Sequence, residues 1–162
     1  MAMTMIEPIR KSFVVETSQE RAFRVFTEEH GAWWPLATHH IGKQPAETAV
    51  IEPRVGGRWF ERATDGTVCM WGHVQAWEPP HRVVLLWQLT QDWVYDEGFS
   101  TEIEVRFVML GPAATRVEFE HRQLERFGER AAEQRTSMDS GWGSILDLYA
   151  SRAKASTTTR SR

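Results

Sequence analysis

The feature of this sequence that most constrains its fold is a series of strand-like segments that follow one another without a helical pattern between them. Each segment alternates apolar and polar residues or is rich in β-branched and aromatic side chains, and turn-forming residues separate it from the next. The segments cover residues 48–53, 57–64, 67–77, 82–90, 101–110 and 115–122. Because the connections between them are short, they predict an antiparallel meander.

Two short helices are predicted ahead of this meander. A first strand covers residues 6–16, and a capping box follows it, in which Thr17 and Glu20 can each bond an amide at the start of a helix. A second helical turn is predicted over residues 28–34 and ends at Pro35, since proline cannot continue a helix.

A long helix is predicted at the other end of the chain, over residues 125–154. One apolar stripe of this helix carries Met138, Trp142, Ile145 and Tyr149. The economical packing is a curved antiparallel sheet of about seven strands wrapped around the helix, which is an α+β fold. We expect a single domain over residues 1–155, followed by a flexible tail over residues 156–162.

Charge and composition argue against several classes of protein. The formal net charge is −3 with acids and bases interspersed, so no basic surface is expected for nucleic acid. The lone Cys69 excludes an intrachain disulfide framework. The N-terminus lacks the apolar core of a signal peptide, and no apolar run has the length of a membrane span. These features predict a cytoplasmic protein.

No familiar catalytic or metal-binding motif is present. The six histidines show none of the usual ligand spacings, and the chain has no CxxC pair, nucleophile elbow, phosphate-binding loop or dinucleotide fingerprint. We therefore expect no metal and no cofactor, and we assign no catalytic residue. A cyclase, hydrolase or isomerase remains an alternative if buried acid and base groups converge.

The Asp65-Gly66 pair predicts a two-residue hairpin turn, which sets the register of the two strands it joins. Trp59 then lies opposite Gly72, and residues of one parity, including Glu61 and Met70, point toward the helix. On this register Cys69 and Trp71 point outward.

Two polar residues break the inward, apolar pattern of the predicted sheet. They are Glu61 and His121, and the second shares the inward face of the last two strands with Phe107 and Phe119. One interpretation is that each lies near a strand end and reaches water or a backbone partner. The other is that both orient a ligand in an otherwise apolar cavity.

The aromatic residues allow the same two interpretations, a filled core or a lined cavity. The chain has eight Trp, and Trp142 is flanked by Gly141 and Gly143, which are unfavourable within a helix. Either the helix approaches the sheet closely there, or a bend lets Trp142 line a cavity. The loops 35–47 and 91–100 are predicted to form the mouth, and the second carries aromatic residues that could instead cover a partner: Trp93, Tyr95 and Phe99.

Several short motifs together resemble a known family. They are Gly56-Gly57-Arg58-Trp59, Asp65-Gly66, Gly72-His73-Val74, the run from Trp77 to Val84, Trp87, the run from Thr115 to His121, and Gly141-Trp142 followed by Leu146. They resemble the bacterial family named after the C-terminal domain of the activator of the heat shock protein 90 ATPase. That family belongs to the START-like (SRPBCC) helix-grip superfamily, and the resemblance covers residues 9–153.

The resemblance implies a cavity between the sheet and the long helix, suited to lipid-like or aromatic ligands, without universal catalytic residues. The first hypothesis is therefore binding of an apolar small molecule. Its ligand-binding residues are Trp59, Glu61, Met70, Phe107, Phe119, His121 and Trp142. An acid/base enzyme that uses Glu61 and His121 is one alternative. A co-chaperone or homodimer is another, with an exposed aromatic patch formed either around Trp93, Tyr95 and Phe99 or by the outward Phe60, Trp71 and Trp77. The eponymous activator, however, is a longer protein with an additional N-terminal domain.

Overall fold

The computed structural model describes residues 5–155, and the predicted flexible tail lies outside these residues. Seven strands, three α-helices and one 3₁₀ segment follow one another in the predicted order. They are β1 Ile9–Val15, α1 Gln19–Thr27, α2 His30–Trp33, β2 Ala46–Ile51, β3 Arg58–Ala63, β4 Val68–Glu78, β5 Arg82–Trp87, β6 Thr101–Gly111, β7 Ala114–Arg122, the 3₁₀ segment Leu124–Arg130 and α3 Ala131–Ala155. The predicted α+β class is confirmed.

The strands form one antiparallel, curled sheet in the order β1-β7-β6-β5-β4-β3-β2. The N-terminal strand β1 lies beside the last strand β7, so the two ends of the strand series meet at one edge of the sheet. Along β6 and β7 the register pairs Ile103 with His121 and Val105 with Phe119, and all four side chains are buried. The opposite face carries charged residues such as Glu104, which forms ion pairs with Arg82, Arg106 and Arg122.

Helix α3 packs on the inner face of the sheet through the predicted stripe, whose four residues are all buried. The helix begins six residues later than predicted, at Ala131, because the chain kinks at Gly128, where φ is 86°. The hydroxyl of Tyr149 donates to the carbonyl of Ala22 at 2.8 Å, which attaches α3 to α1. None of the helices within residues 5–155 combines the length and apolar character needed to cross a membrane.

The first helix is capped one residue later than the capping box indicates. Ser18 is the N-cap and accepts a hydrogen bond from the backbone N–H of Arg21 at 3.2 Å. Thr17 is buried, and its carbonyl accepts a hydrogen bond from Thr115 of β7 at 3.0 Å. The predicted helix is thus correct, whereas the predicted role of Thr17 is wrong.

The predicted register of β3 and β4 is wrong from the hairpin turn as far as Phe60 and correct beyond it, at Trp59. The backbone N–H of Ala63 donates to Thr67 at 2.8 Å, so the hairpin connection is Thr64-Asp65-Gly66, with Gly66 at φ 92°. This places Glu61 opposite Cys69 and Phe60 opposite Met70. A β-bulge beyond Phe60 inserts one extra residue, Trp71, and restores the predicted pairing of Trp59 with Gly72.

These two irregularities reverse the orientation of three residues. Cys69 and Trp71 face the core rather than the outside, and Trp71 is buried with only 2% of its surface exposed. Met70 shares the outer face with Phe60 and is half-buried. A one-residue shift of register moves a side chain to the other face of a sheet, which explains each of these errors.

Candidate functional site

A pocket of about 360 Å³ lies between the inner face of the sheet, the loop that follows α2, and helix α3. Five of its lining residues are tryptophans, and the other nine are four apolar residues, one glycine and four polar residues. The complete lining is Trp34, Thr38, His39, His40, Ile41, Trp71, Trp87, Leu89, Trp93, Ser137, Met138, Gly141, Trp142 and Ile145. Both the volume and the mixture of aromatic walls with a few polar groups are typical of small-molecule sites.

The loop that forms one wall of this pocket, residues 38–42, is held by a buried carboxylate. Glu61 is 1% exposed, and its oxygens accept hydrogen bonds from the backbone N–H groups of Ile41 at 2.7 Å and Gly42 at 2.9 Å. The indole N–H of Trp71 donates to the same carboxylate at 2.8 Å. On the other side, the indole of Trp34 donates to the carbonyl of His39 at 2.9 Å. Glu61 therefore positions the pocket wall and does not itself line the pocket.

Gly42 is a point of close approach between this loop and the sheet. A Cβ atom at Gly42 would lie 3.0 Å from Oε2 of Glu61 and 3.1 Å from Sγ of Cys69. These distances are tighter than ordinary van der Waals contacts. The absence of a side chain at Gly42 thus lets its backbone N–H reach the carboxylate.

His121 is fully buried in the core, behind the pocket-lining Trp142 to which it is hydrogen-bonded. Its Nδ1 accepts a hydrogen bond from the indole of Trp142 at 3.1 Å, and its Nε2 lies 2.8 Å from the hydroxyl of Thr101. Because an indole N–H can only donate, the neutral ring carries its proton on Nε2, which donates to Thr101. Burial lowers the pKa of His121 from 6.5 to about 3, so the imidazole is neutral at physiological pH.

A second buried histidine has the same arrangement, and the sequence patterns did not single it out. The indole of Trp59 donates to Nε2 of His30 at 3.1 Å, and Nδ1 of His30 donates to the carbonyl of Phe26 at 3.2 Å. Burial lowers the pKa of His30 to about 3, against the weaker opposite effect of the Phe26 carbonyl. His30 opens the short helix α2, where no periodicity distinguishes a buried position from an exposed one.

The residues predicted to bind a ligand do not converge on one site. Of the seven, only Trp142 lines the pocket. Trp59, Phe107 and Phe119 are buried in the core, and Met70 lies on the outer face.

The two predicted polar anchors, Glu61 and His121, are engaged separately. A chain of aromatic rings connects them: Trp71 bonds Glu61, Trp34 lies 5.0 Å from Trp71 and 5.8 Å from Trp142 between ring centroids, and Trp142 bonds His121. Neither Glu61 nor His121 is among the residues that line the pocket, so the pocket surface does not present the acid and base that the enzyme hypothesis used.

Three of the four polar residues that line the pocket come instead from a region predicted only as part of its mouth. Thr38, His39 and His40 lie on the loop after α2, and His39 is exposed with its Nδ1 2.7 Å from the Thr38 hydroxyl. His40 is half-buried, with Nδ1 3.0 Å from the carbonyl of Gly42 and 3.9 Å from Oε2 of Glu61. The pair of adjacent histidines, in a loop without periodicity, is the sequence feature that could have identified this wall of the pocket.

The aromatic residues predicted to form an exposed partner surface are mostly covered. Phe60 and Trp71 are buried, and Trp77 packs edge-on against Phe23 at 5.1 Å between ring centroids. Phe99 packs on Phe127 at 5.4 Å, whereas Trp93 is 47% exposed. Trp93 also lines the pocket, where its ring lies 6.0 Å from that of Trp87, so its place is at the pocket mouth.

Fold and site together define a helix-grip α+β domain with a pocket between its sheet and its C-terminal helix. Residues 16–152 match the family model described as activator of Hsp90 ATPase homolog 1-like protein, and the chain belongs to this family. The predicted family resemblance is thus confirmed. No curated protein matches the chain.

Three solved structures illustrate the range of relatives. The chain is 39% identical to an anthrahydroquino-γ-pyrone synthase, Txn09, over 83% of this chain and 88% of that one, with a TM-score of 0.59. It is 29% identical to CalC, a self-sacrificing resistance protein from Micromonospora echinospora, over 94% and 97% of the two chains, with a TM-score of 0.72. Protein Ms6760 from Mycobacterium smegmatis shares the fold at 16% identity, over 96% and 93%, with a TM-score of 0.63.

Proposed function

We propose that this protein binds a flat, polycyclic aromatic small molecule in the pocket between the loop 38–42 and helix α3. The observation that carries the proposal is the set of five indole rings in the pocket wall: Trp34, Trp71, Trp87, Trp93 and Trp142. Broad, rigid aromatic faces stack favourably on other aromatic rings, and they lose little conformational entropy when a ligand binds.

The hydrogen bonding of these rings supports a preformed pocket. Four of the five indole N–H groups already donate within the protein, to His39, Glu61, Leu89 and His121. The rings are therefore held in place before a ligand arrives, and they offer their apolar faces rather than their polar edges. A preorganised apolar wall lowers the free-energy cost of binding.

The relatives support the same class of ligand. The synthase that is 39% identical to this chain has a name that denotes a fused aromatic ring system. A lipid-like chain would fit the superfamily, but flat indole faces on several sides favour a planar molecule over a flexible one.

A titration with 2-methoxyanthraquinone tests this proposal, with binding detected as quenching of tryptophan fluorescence. We expect saturable quenching by the native protein. Trp142→Phe should weaken binding roughly twofold to tenfold, since one aromatic pair contributes about 0.5–1.5 kcal/mol.

Trp59→Phe is the matched control, because Trp59 also donates its indole N–H to a buried histidine but does not line the pocket. It should leave the affinity for the probe unchanged. Quenching that does not saturate, or an equal loss of affinity in the two variants, would contradict the proposal.

A second candidate function is catalysis on such a ligand, favoured by the 39% identity to a synthase over most of both chains. Catalysis would need a group that moves a proton within the pocket. Glu61 and His121 already have their hydrogen-bonding partners elsewhere, so this candidate depends on the polar residues of the loop 38–42.

A further inference from the structure

The polar groups of the pocket are concentrated on one wall. The loop contributes Thr38, His39 and His40, and helix α3 contributes Ser137, whereas the sheet side presents tryptophans and Leu89. Among the described residues that line the pocket, the two histidines are the ones with an acid/base side chain. A ligand held between the tryptophans therefore meets titratable groups on a single side.

His40 is oriented so that one ring nitrogen is left for a ligand. A carbonyl oxygen only accepts hydrogen bonds, so the 3.0 Å contact with Gly42 places the proton of the neutral ring on Nδ1. Nε2, on the other side of the ring, makes no hydrogen bond to any of residues 5–155. The side chain is 24% exposed and lines the pocket, which makes Nε2 available as an acceptor.

One carboxylate lies close to the ring of His40. Oε2 of Glu61 on β3 lies 3.9 Å from Nδ1, and Cys69 on β4 lies behind Gly42. His39 precedes His40 on the loop and contacts Thr38. The residues of α3 that line the pocket, Ser137, Met138, Gly141, Trp142 and Ile145, are uncharged. An imidazolium at this position thus faces a carboxylate across a short distance.

We propose that the pocket selects aromatic ligands that carry a phenolic hydroxyl, and that Nε2 of His40 accepts the phenolic proton. In this step the phenol O–H bond breaks, the proton moves to Nε2, and a phenolate is left beside the imidazolium. Glu61 is a positioning residue, since it holds the loop through Ile41 and Gly42 and stabilises the cation without touching the ligand. This inference rests on the proposed aromatic ligand and names its chemical class.

The test uses 2-hydroxyanthraquinone, whose phenolate absorbs at longer wavelength than its phenol, with 2-methoxyanthraquinone as the probe that has no proton to give. Absorption is titrated against pH for each probe, free and bound. For the native protein we expect bound 2-hydroxyanthraquinone to ionise about one pH unit or more below the free probe, as an adjacent opposite charge produces. His40→Gln should abolish this shift, and His73→Gln, at a half-buried histidine outside the pocket lining, should retain it.

The outcomes separate this inference from the proposed function. If neither probe gives saturable quenching of tryptophan fluorescence, the proposed aromatic pocket is wrong. If both probes bind but the ionisation of 2-hydroxyanthraquinone is the same in the native protein and in His40→Gln, the pocket stands and the role of His40 is overturned. Far-ultraviolet circular dichroism of each variant verifies that the fold is retained, and His40→Asn is a second variant if His40→Gln is unstable.

Discussion

The polar residues of the core and those of the pocket wall differ in how completely they are bonded. In the core, His30 and His121 are fully buried, and both ring nitrogens of each have a partner, a tryptophan indole on one side. In the wall, His40 is half-buried, and within residues 5–155 it forms a hydrogen bond through Nδ1 only. Both regions contain imidazoles beside indole rings, yet only the wall leaves a polar atom for a ligand.

The difference shows that a buried polar residue is not by itself a sign of function. A polar group that finds all its partners within the protein stabilises one arrangement of the core, and it has nothing left to offer a substrate. Glu61 combines features of both regions. It is buried like the core histidines, but its carboxylate accepts hydrogen bonds from the backbone of the loop that carries His40.

The largest expected effect is a loss of stability at acidic pH. The pKa values of His30 and His121 are lowered by burial from 6.5 to about 3, so below pH 6.5 the unfolded chain binds protons that the folded protein does not. Stability is therefore lost as the pH falls from 6.5 toward 3. Relative to pH 7.5, the two histidines together should lower the free energy of unfolding by roughly 4 kcal/mol at pH 5. Urea denaturation at the two pH values measures this loss.

His121→Phe distinguishes this effect from general acid sensitivity. The variant is less stable at pH 7.5, because Trp142 and Thr101 lose their partner. Its further loss of stability between pH 7.5 and pH 5 should nevertheless be about half that of the native protein, since one of the two buried imidazoles is gone. An undiminished pH dependence in His121→Phe would show that the buried imidazole of His121 does not contribute to the loss of stability in acid.

The next largest effect is expected at the residue that connects the two regions. Glu61→Ala leaves the N–H groups of Ile41, Gly42 and Trp71 without their acceptor. Each unsatisfied buried donor costs about 1–3 kcal/mol, and water entering the space recovers part of that, so we expect a loss of about 3 kcal/mol. Hydrogen exchange of the Ile41 and Gly42 amides should accelerate at the same time.

Glu120→Ala is the control for Glu61→Ala. Glu120 lies on the outer face, where it pairs with Arg10 at 3.6 Å and with Arg122 at 3.8 Å, and its removal should cost less than about 1 kcal/mol. Equal losses in the two variants, with unchanged exchange at Ile41 and Gly42, would show that Glu61 does not hold the loop.

Much of the fold follows from local patterns. The alternation in β6 and β7 correctly assigns Phe107, Phe119 and His121 to the inner face, because neither strand is interrupted before its last residues. The stripe of α3 is correct for the same reason. By contrast, the bulge at Trp71 has no local signal, and Asp65-Gly66 is compatible with both a two-residue and a three-residue connection.

The pocket was less predictable because its residues come from separate elements. Trp34 follows α2, Trp71 lies at a bulge, and Trp87 ends β5, so their convergence depends on the curvature of the sheet. The bonding of His30, Glu61 and His121 likewise depends on tertiary partners that no spacing reveals. Sequence patterns identify these polar residues as unusual, but they do not distinguish a satisfied residue from an available one.

The smallest predicted effect concerns the two glycines beside Trp142. A Cβ atom at Gly141 would meet no atom within 4 Å, and one at Gly143 would come no nearer than 3.8 Å to Nζ of Lys11, so close packing on the sheet does not require either glycine. Each substitution by alanine should therefore raise the free energy of unfolding by up to about 1 kcal/mol. Because Gly141 lines the pocket and Gly143 does not, only Gly141→Ala should also weaken binding of 2-methoxyanthraquinone. Urea denaturation and fluorescence titration of the two variants give both quantities, and equal affinity in the two would mean that the probe does not occupy the pocket beside α3.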